Sequence, residues 1–217
     1  MKCDLCPRKC LVDRKKGEKG ICGQTENLKV ARAALHFWEE PCISGDAGSG
    51  AVFFSGCPLH CVFCQNENIA NGTVGKEISL ERLVDIFLEL QEKRANNINL
   101  VTPGHFVPQI VKALDQARKE GLTLPVVYNT SSYETVDTIK MLEGYVDIYL
   151  PDFKYMSPVL SKKYSRAPDY AEVAKAAIAE MVRQTGKAVF VNGDEDNLIL
   201  SGTIVRHLTL PGCMADS

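Results

Sequence analysis

Three cysteines lie in one short loop with the spacing C-x3-C-x2-C, namely Cys57, Cys61 and Cys64. Three thiolates on so short a loop can converge on one compact metal centre. On a four-iron cubane they would leave one iron without a protein ligand, and a substrate or cofactor can bind there. The alternative is a zinc site that Cys42 or His60 completes. The position of the loop directly after a predicted strand favours the iron–sulfur centre.

A second group of cysteines stands near the start of the chain, with the spacing C-x2-C-x3-C-x11-C: Cys3, Cys6, Cys10 and Cys22. Four thiolates are enough to close a tetrahedral zinc site or to hold an auxiliary iron–sulfur cluster. The alternative is a leader segment with reduced thiols. A C-x2-C pair on a turn-rich segment is a usual form of structural zinc, so we slightly favour zinc.

Composition limits the classes of protein to which the chain can belong. It has 217 residues, a net charge of −2 and a pI near 6.1, so no bulk positive field favours nucleic acid or an anionic membrane. No uncharged apolar run approaches the ~18 residues of a membrane span. Eight of the nine cysteines lie between Cys3 and Cys64, which is more typical of metal sites in a reducing compartment than of disulfides. We therefore predict a cytoplasmic protein with no nucleic-acid or membrane partner.

The elements that must position these cysteines follow from hydrophobic periodicity. Short apolar runs at 51–55, 98–102, 125–129 and 146–150 predict buried strands. Amphipathic patterns predict helices from Ser79 to about Ala95, from near Pro108 to Gly121, from Val136 to Gly144, and after Pro168 to near Gly186. Alternation of strand and helix predicts parallel strands, hence an α/β sheet or barrel with its chemistry in the loops after the strands.

Composition also divides the chain near residue 50. Residues 1–49 are predicted as a small Cys-rich N-terminal extension with a hairpin strand at 28–35, and residues 50–217 as the core. The region 187–212 predicts a hairpin followed by a fifth barrel strand, which carries Arg206 and His207. Because strand side chains alternate, one of these two residues would face into the barrel.

The first loop, within GAVFFSGCPLHCVFCQN, resembles the radical S-adenosylmethionine (SAM) superfamily. The segments CDLCPRKCLVDRKKGEKGICG, HFWEEPCISG and VTPGHFVPQI are similar to the branch of pyruvate formate-lyase activating enzyme-like proteins. The resemblance covers essentially the whole chain. It implies a partial parallel (β/α) barrel, which we expect to be truncated after its fifth strand because the superfamily core usually has six units.

The same resemblance implies roles for particular residues. Cys57, Cys61 and Cys64 would hold a 4Fe–4S cluster whose fourth iron is chelated by SAM, with the backbone near Phe63 contacting the adenine. Further cofactor-binding positions are implied in the loops after the second, third and fourth strands, at Gly104, His105, Asn129, Asp152 and Lys154. The family's acidic residue after the second strand is absent here, and His105 is alternatively a solvent-facing residue at a helix entry. Asp152 and Lys154 match an Asp-x-Lys segment that lines the cofactor pocket, and they are the predicted catalytic residues.

The implied function is reductive cleavage of SAM to a 5′-deoxyadenosyl radical by the 4Fe–4S cluster. That radical would activate a glycyl radical enzyme such as pyruvate formate-lyase. A low-potential donor of flavodoxin or ferredoxin type would supply the electron. One alternative is a radical SAM enzyme that acts on another protein or on a small molecule. The other is a non-catalytic zinc-binding protein in which both cysteine groups hold zinc.

Overall fold

The centre of the fold is a mostly parallel β-sheet, seen in a computed structural model that describes residues 2–194 and 197–216. Its strands are Lys29–His36 (β1), Ser49–Phe54 (β2), Lys76–Glu77 (β3), Ile98–Val101 (β4), Val126–Thr130 (β5), Ile148–Phe153 (β6), Val189–Phe190 (β7), Ile199–Thr203 (β8) and Arg206–His207 (β9). The order across the sheet is β3-β1-β2-β4-β5-β6-β8-β7, with β9 beside β6. Strands β2, β4, β5, β6 and β8 run parallel. The result is an α/β fold consistent with a partial radical SAM barrel.

The longer helices connect the parallel strands and cover one face of the sheet, whereas the first short helix lies against the other face. The helices are Pro41–Ser44 (α1), Glu67–Ala70 (α2), Leu80–Glu92 (α3), Val107–Lys119 (α4), Val136–Lys140 (α5), Pro158–Ser165 (α6) and Tyr170–Thr185 (α7). The predicted start of α3 is confirmed, because the Ser79 side chain accepts a hydrogen bond from the Arg82 N–H as an N-cap. None of the described helices is long and apolar enough to cross a membrane.

Alternation along the strands separates two apolar clusters. Ile98 and Leu100 of β4 face α3 and α4 and belong to the large core under the helices. On the opposite face, Ile148 and Leu150 of β6 pack with Ile43 of α1. This second cluster lies inside the curved sheet, so the space above it is reached from the carboxyl ends of the strands.

The structure corrects several predicted boundaries. Helix α5 ends at Lys140 and is followed by turns to Tyr145, so it is shorter than the pattern predicted. Helix α6 was not predicted; it begins at Ser157-Pro158, with the Ser157 hydroxyl accepting from the Leu160 N–H. The fourth predicted strand continues to Phe153, so Asp152 belongs to the strand itself.

One strand belongs both to the hairpin and to the parallel part of the sheet, whereas the sequence predicted two separate strands. Strand β8 pairs antiparallel with β7 and also parallel with β6, so the second strand of the hairpin is itself the fifth parallel strand. The short β9 continues alongside β6 and brings Arg206 opposite Asp152. The early hairpin strand is confirmed: β1 pairs antiparallel with β2, so the sheet includes residues on both sides of residue 50.

Candidate active site

A cavity of about 480 Å³ opens at the carboxyl ends of the parallel strands. Its wall combines the cysteine loop after β2 with residues from the ends of β4, β5, β6 and β9. Side chains that are far apart in sequence therefore meet at one edge of the sheet, where α/β folds place their chemistry.

All three cysteines of the C-x3-C-x2-C loop line this cavity. The loop leaves β2 through Gly56, whose φ is +91°. A Cβ at Gly56 would lie 2.5 Å from the Cys22 carbonyl oxygen, so only glycine fits the turn. His60 also has a positive φ, of 48°, and continues the tight path of the loop. The backbone thus turns the three thiols toward one space.

Two thiols of this loop, Cys57 and Cys61, pack against a buried apolar cluster that includes Leu59 and Tyr155. Burial raises the pKa of the Cys57 thiol to about 11, and the Leu59 N–H opposes that rise. Burial also raises the pKa of Cys61, against the opposing effects of Ser165 and Lys154. The Ser165 hydroxyl donates to the Cys61 Sγ at 3.0 Å. Because metals bind thiolates, a metal centre here must displace protons from these thiols.

Neither residue that could complete a zinc site at this loop is placed to do so. Both ring nitrogens of His60 are engaged, at 3.1 Å from the Asn71 Oδ1 and at 2.7 Å from the Ile21 carbonyl oxygen. Cys42 packs with the apolar cluster inside the sheet and is absent from the cavity wall. Over residues 2–194 and 197–216, no three Cys, His, Asp or Glu side chains are grouped around a single ion position.

The guanidinium of Arg206 holds a polar network on the opposite wall of the cavity. Its Nε donates to the Asp152 Oδ1 at 2.8 Å, and its terminal nitrogens donate to the Asn129 Oδ1 at 2.7 Å and to Glu39 at 3.3 Å. The Lys154 ammonium contacts the other oxygen of Asp152 at 2.5 Å. The ends of β5, β6 and β9 are thereby joined through charged groups.

Charge and burial oppose each other at Glu39. Burial raises the pKa of this carboxyl, and the Arg206 guanidinium limits the rise. The Asn129 amide also donates to Glu39, at 3.3 Å. The cavity therefore presents two carboxylates, Glu39 and Asp152, beside the cationic side chains of Arg32, Lys154 and Arg206.

Comparison with known proteins identifies the family of this site. Residues 51–193 match the family model of the radical SAM superfamily, a range that contains the cysteine loop and Lys154. The chain belongs to the radical SAM superfamily. An uncharacterized protein of Methanocaldococcus jannaschii is 28% identical in an alignment 215 residues long that covers 96% of this chain and 57% of that protein. The chain thus spans little more than half the length of that relative.

Radical SAM membership implies a 4Fe–4S cluster and SAM, and the site fits both. Cys57, Cys61 and Cys64 offer three sulfur donors to one cavity, which leaves one corner of a cubane for a bound small molecule. Phe63, between the last two of them, is about one-third exposed and forms an apolar wall beside Tyr155 and Tyr164. The cavity is large enough for a ligand of the size of SAM.

The other cofactor-binding positions that the resemblance implies fall into two groups, those that line the cavity and those that do not. Asn129, Asp152 and Lys154 line the cavity together with Phe63. Gly104 and His105 do not line it, contrary to the expectation for the loop after the second parallel strand. That loop presents Thr102 instead, in a left-handed conformation with φ of 55°.

His105 and Gly104 are structural neighbours of the radical SAM cavity. His105 is buried, and its Nε2 lies 2.7 Å from the Ser55 carbonyl oxygen, so the solvent-facing alternative is also wrong. Burial lowers the pKa of His105 to about 4. Gly104 packs against a buried carboxylate, since a Cβ there would lie 2.4 Å from the Glu134 Oε2.

Glu39 and Arg206 are two charged residues of the cavity wall that sequence reasoning did not assign to the site. The pair Glu39-Glu40 before a proline was visible within HFWEEP, although nothing in the pattern connected it to a strand end. Arg206 was recognised together with His207, and the structure selects Arg206 for the cavity. His207 is exposed, with its Nδ1 2.9 Å from the Phe153 carbonyl oxygen.

The four N-terminal cysteines form a separate group outside the wall of the radical SAM cavity. Cys22 is buried, and the other three are partly buried. Burial raises the pKa of the Cys6 and Cys22 thiols, and the charges of the other cysteines in the group add to the rise. The structure therefore brings together thiols that are up to nineteen positions apart in the sequence.

Proposed function

We propose that this protein cleaves SAM reductively with a 4Fe–4S cluster on Cys57, Cys61 and Cys64, and that it activates a glycyl radical enzyme. The observation that carries the proposal is the convergence of three thiols and a charged network on one cavity of a radical SAM fold. When bound, the cluster passes one electron to the sulfonium of SAM, which yields methionine and a 5′-deoxyadenosyl radical that takes a hydrogen atom from the substrate.

Different residues of the cavity would bind different parts of SAM. Phe63 supplies an apolar surface for the adenine. Asp152 and Lys154 offer a carboxylate and an ammonium to the amine and carboxylate of the methionine end. Arg206 fixes Asp152, so the pocket is preorganised before the ligand enters.

A polypeptide substrate is supported by the exposure of the cysteine loop. Val62 is exposed, and Phe63 is partly so, which leaves the segment between Cys61 and Cys64 at the protein surface. A glycine on a flexible loop of a partner enzyme can approach such a site from outside. The hydrogen atom would come from the glycine Cα and end on 5′-deoxyadenosine.

The electron donor would approach across helix α6. Lys162, Lys163 and Arg166 are exposed on this helix and its C-cap, although the whole chain carries a net charge of −2. We define these three residues as the α6 basic patch. It adjoins the cysteine loop, because the Val62 N–H donates to the Tyr164 carbonyl oxygen at 2.9 Å. An acidic donor of flavodoxin or ferredoxin type fits this surface.

The test is anaerobic reconstitution with iron and sulfide, followed by reduction in the presence of SAM. We expect a brown protein that forms 5′-deoxyadenosine, whereas Cys61→Ala should lose this product by at least about 100-fold because an iron loses its ligand. Cys42→Ala is the matched control, since Cys42 lies outside the cavity wall. Full product formation by Cys61→Ala would disprove the cluster assignment.

A second assay separates the choice of substrate from SAM cleavage. The reconstituted enzyme is incubated with a glycyl radical enzyme whose glycines carry deuterium at Cα. Deuterium in 5′-deoxyadenosine together with an organic radical signal supports activation. If SAM is cleaved without deuterium transfer, the substrate is another protein or a small molecule. A colourless protein that holds zinc at both cysteine groups would support the non-catalytic alternative.

A further inference from the structure

Strand β1 contains a β-bulge that changes which of its side chains face the cavity. Val30 pairs with Phe54, whereas Arg32 pairs with the preceding residue Phe53, so Ala31 is an extra residue on β1. Side chains two positions apart on a regular strand share a face of the sheet. Here, however, Val30 and Phe54 pack in the core under the helices, while Arg32 and Phe53 line the cavity. The bulge therefore turns Arg32 into the cavity.

After the bulge, β1 alternates regularly. Ala33 and Leu35 pack against the core under the helices, and His36 lines the cavity on the same face as Arg32. Without the extra residue, Arg32 and His36 would share the face of Val30. Bulges next to active sites commonly re-aim a side chain, so the position of Arg32 indicates a role in the cavity.

Arg32 differs from the other cationic side chains of the cavity because its charge is unpaired. The Lys154 ammonium contacts Asp152, and the Arg206 guanidinium contacts Asp152 and Glu39. Within residues 2–194 and 197–216, no hydrogen bond or ion pair engages Arg32, which is exposed in the cavity wall. Three Lys and Arg side chains thus share the wall with two carboxylates, and one positive charge is left over.

The unpaired charge lies on a strand that is distant from the groups assigned to the methionine end of SAM. Strands β2, β4 and β5 lie between β1, which carries Arg32, and β6, which carries Asp152. The cluster loop, residues 57–64, follows β2 between them. A SAM molecule held at Asp152 and Lys154 therefore leaves Arg32 for a second ligand.

We propose that Arg32 binds a carboxylate of the polypeptide substrate, namely an aspartate or glutamate side chain next to the glycine that loses its hydrogen atom. This inference rests on the proposed function and specifies its substrate class. A planar guanidinium matches a carboxylate with two parallel N–H···O bonds. The bound carboxylate pairs the free charge of the wall and positions the neighbouring glycine in the cavity.

The acidic side chains of the same wall favour a carboxylate over a phosphate group. A phosphorylated side chain carries about two negative charges, against one unpaired cation. Glu39 and Asp152 would repel the additional charge. A carboxylate carries a single charge, which equals the excess on the wall.

The test measures peptide binding to the reconstituted protein with SAM and without a reductant, so that no turnover occurs. Three labelled peptides, blocked at both ends, have the sequence Ala-Ala-Xaa-Gly-Ala-Ala with aspartate, asparagine or lysine as Xaa. Fluorescence anisotropy gives their affinities. We expect the wild type to bind the aspartate peptide at least about tenfold more tightly than the asparagine peptide, because only aspartate forms the charged pair.

Substitutions of Arg32 should change this preference in a defined way. Arg32→Gln should bind the aspartate and asparagine peptides equally, and Arg32→Glu should prefer the lysine peptide. Such a reversal requires direct contact, because damage to the fold would weaken all three peptides alike. Lys76→Gln removes the same charge from β3, the exposed neighbour of β1, and should keep the wild-type preference. A wild type that binds all three peptides equally, or an Arg32→Gln variant that still prefers aspartate, would overturn the proposal.

Two further measurements exclude other ligands of Arg32. SAM affinity, measured by calorimetry, should be equal in Arg32→Gln and in the wild type. A tenfold loss would assign Arg32 to the carboxylate of SAM and overturn the proposal. Inorganic phosphate should displace the aspartate peptide no better than acetate does at the same ionic strength. Stronger displacement by phosphate would show that the choice of a carboxylate is wrong.

Failure of this inference can be distinguished from failure of the proposed function. Peptide affinity is measured without SAM cleavage, so a protein that forms no 5′-deoxyadenosine can still show the preference for aspartate. That result would refute the proposed function and support the carboxylate site. A protein that activates a glycyl radical enzyme but binds the three peptides equally would refute the carboxylate site alone.

Discussion

At the scale of single residues, Arg206 explains how the cavity keeps several charged groups together. Its side chain is 29% exposed, and that of Glu39 is 10% exposed, so neither group is fully solvated. A carboxylate that loses water requires a donor in compensation. Arg206 donates to Asp152, Glu39 and Asn129 at once, which only a planar guanidinium with several N–H groups can do.

Replacement of this residue should therefore damage binding more than folding. We expect Arg206→Gln to reduce SAM affinity at least about tenfold and the free energy of unfolding by about 2 kcal/mol, since charged hydrogen bonds are lost. His207→Gln, the exposed neighbour on β9, should change neither quantity. Calorimetric titration of the reconstituted protein measures the SAM affinity, and urea unfolding measures the free energy of unfolding. Unchanged affinity in Arg206→Gln would show that this network does not organise the pocket.

Glu134 makes a different residue-scale prediction, about pH. Burial raises the pKa of this carboxyl from 4.5 to about 7, while Thr130 and Tyr128 donate to it. Between these pH values the folded state keeps a proton that the unfolded chain releases, so stability falls as pH rises from 4.5 to 7. The maximal loss is about 3 kcal/mol.

Glu134→Gln should remove that fall in stability between pH 4.5 and 7, because glutamine does not titrate. His105 contributes with the opposite sign: its pKa falls from 6.5 to about 4, so its contribution rises with pH over that interval. The informative quantity is thus the difference between the unfolding free energies of Glu134→Gln and the wild type, measured by urea from pH 4.5 to 7.5. Two parallel curves would contradict the assignment.

At the scale of elements, the sequence predicted the strands and long helices that build the site, because their apolar patterns are local. The cysteine motif after the first parallel strand was enough to predict the positions of Cys57, Cys61, Cys64 and Phe63 in the site. Arg206 could not be assigned, because its partner Asp152 is 54 positions away and the pairing of β9 with β6 determines the contact. The implied roles of the cavity residues remain predictions.

Helix α6 was missed because its eight residues carry no strong apolar stripe, yet it contacts the cluster loop. Its Ser165 hydroxyl donates to the Cys61 Sγ. Hydrogen bonds to cluster sulfurs stabilise the reduced state, so Ser165→Ala should lower the reduction potential. About 1 kcal/mol for one hydrogen bond corresponds to about 40 mV for one electron.

An anaerobic redox titration followed by electron paramagnetic resonance measures this shift. Ser161→Ala is the control on the same helix, because its buried hydroxyl donates to the Pro158 carbonyl oxygen at 3.2 Å. A potential that is equal in Ser165→Ala and in the wild type would mean that this hydroxyl does not affect the cluster.

At the scale of the whole molecule, net charge and local charge have opposite signs. The chain carries −2 overall, but the α6 basic patch lies beside the segment between Cys61 and Cys64. The Lys163 ammonium lies 4.8 Å from the centre of the Tyr164 ring, and that ring contacts Phe63. An acidic electron donor that docks here would reach the cluster by a short path.

Charge reversal in this patch should therefore slow the reaction with a protein donor and leave the chemistry intact. We expect Lys162→Glu/Lys163→Glu to reduce the rate of cluster reduction by a flavodoxin-type donor at least about tenfold at low salt, with a smaller effect at high salt. Reduction by dithionite, which needs no docking, should be unchanged. Lys175→Glu/Lys187→Glu makes the same change of charge at exposed positions outside the patch and should behave as the wild type. Equal slowing by both double variants would assign the effect to net charge and remove α6 as the docking site.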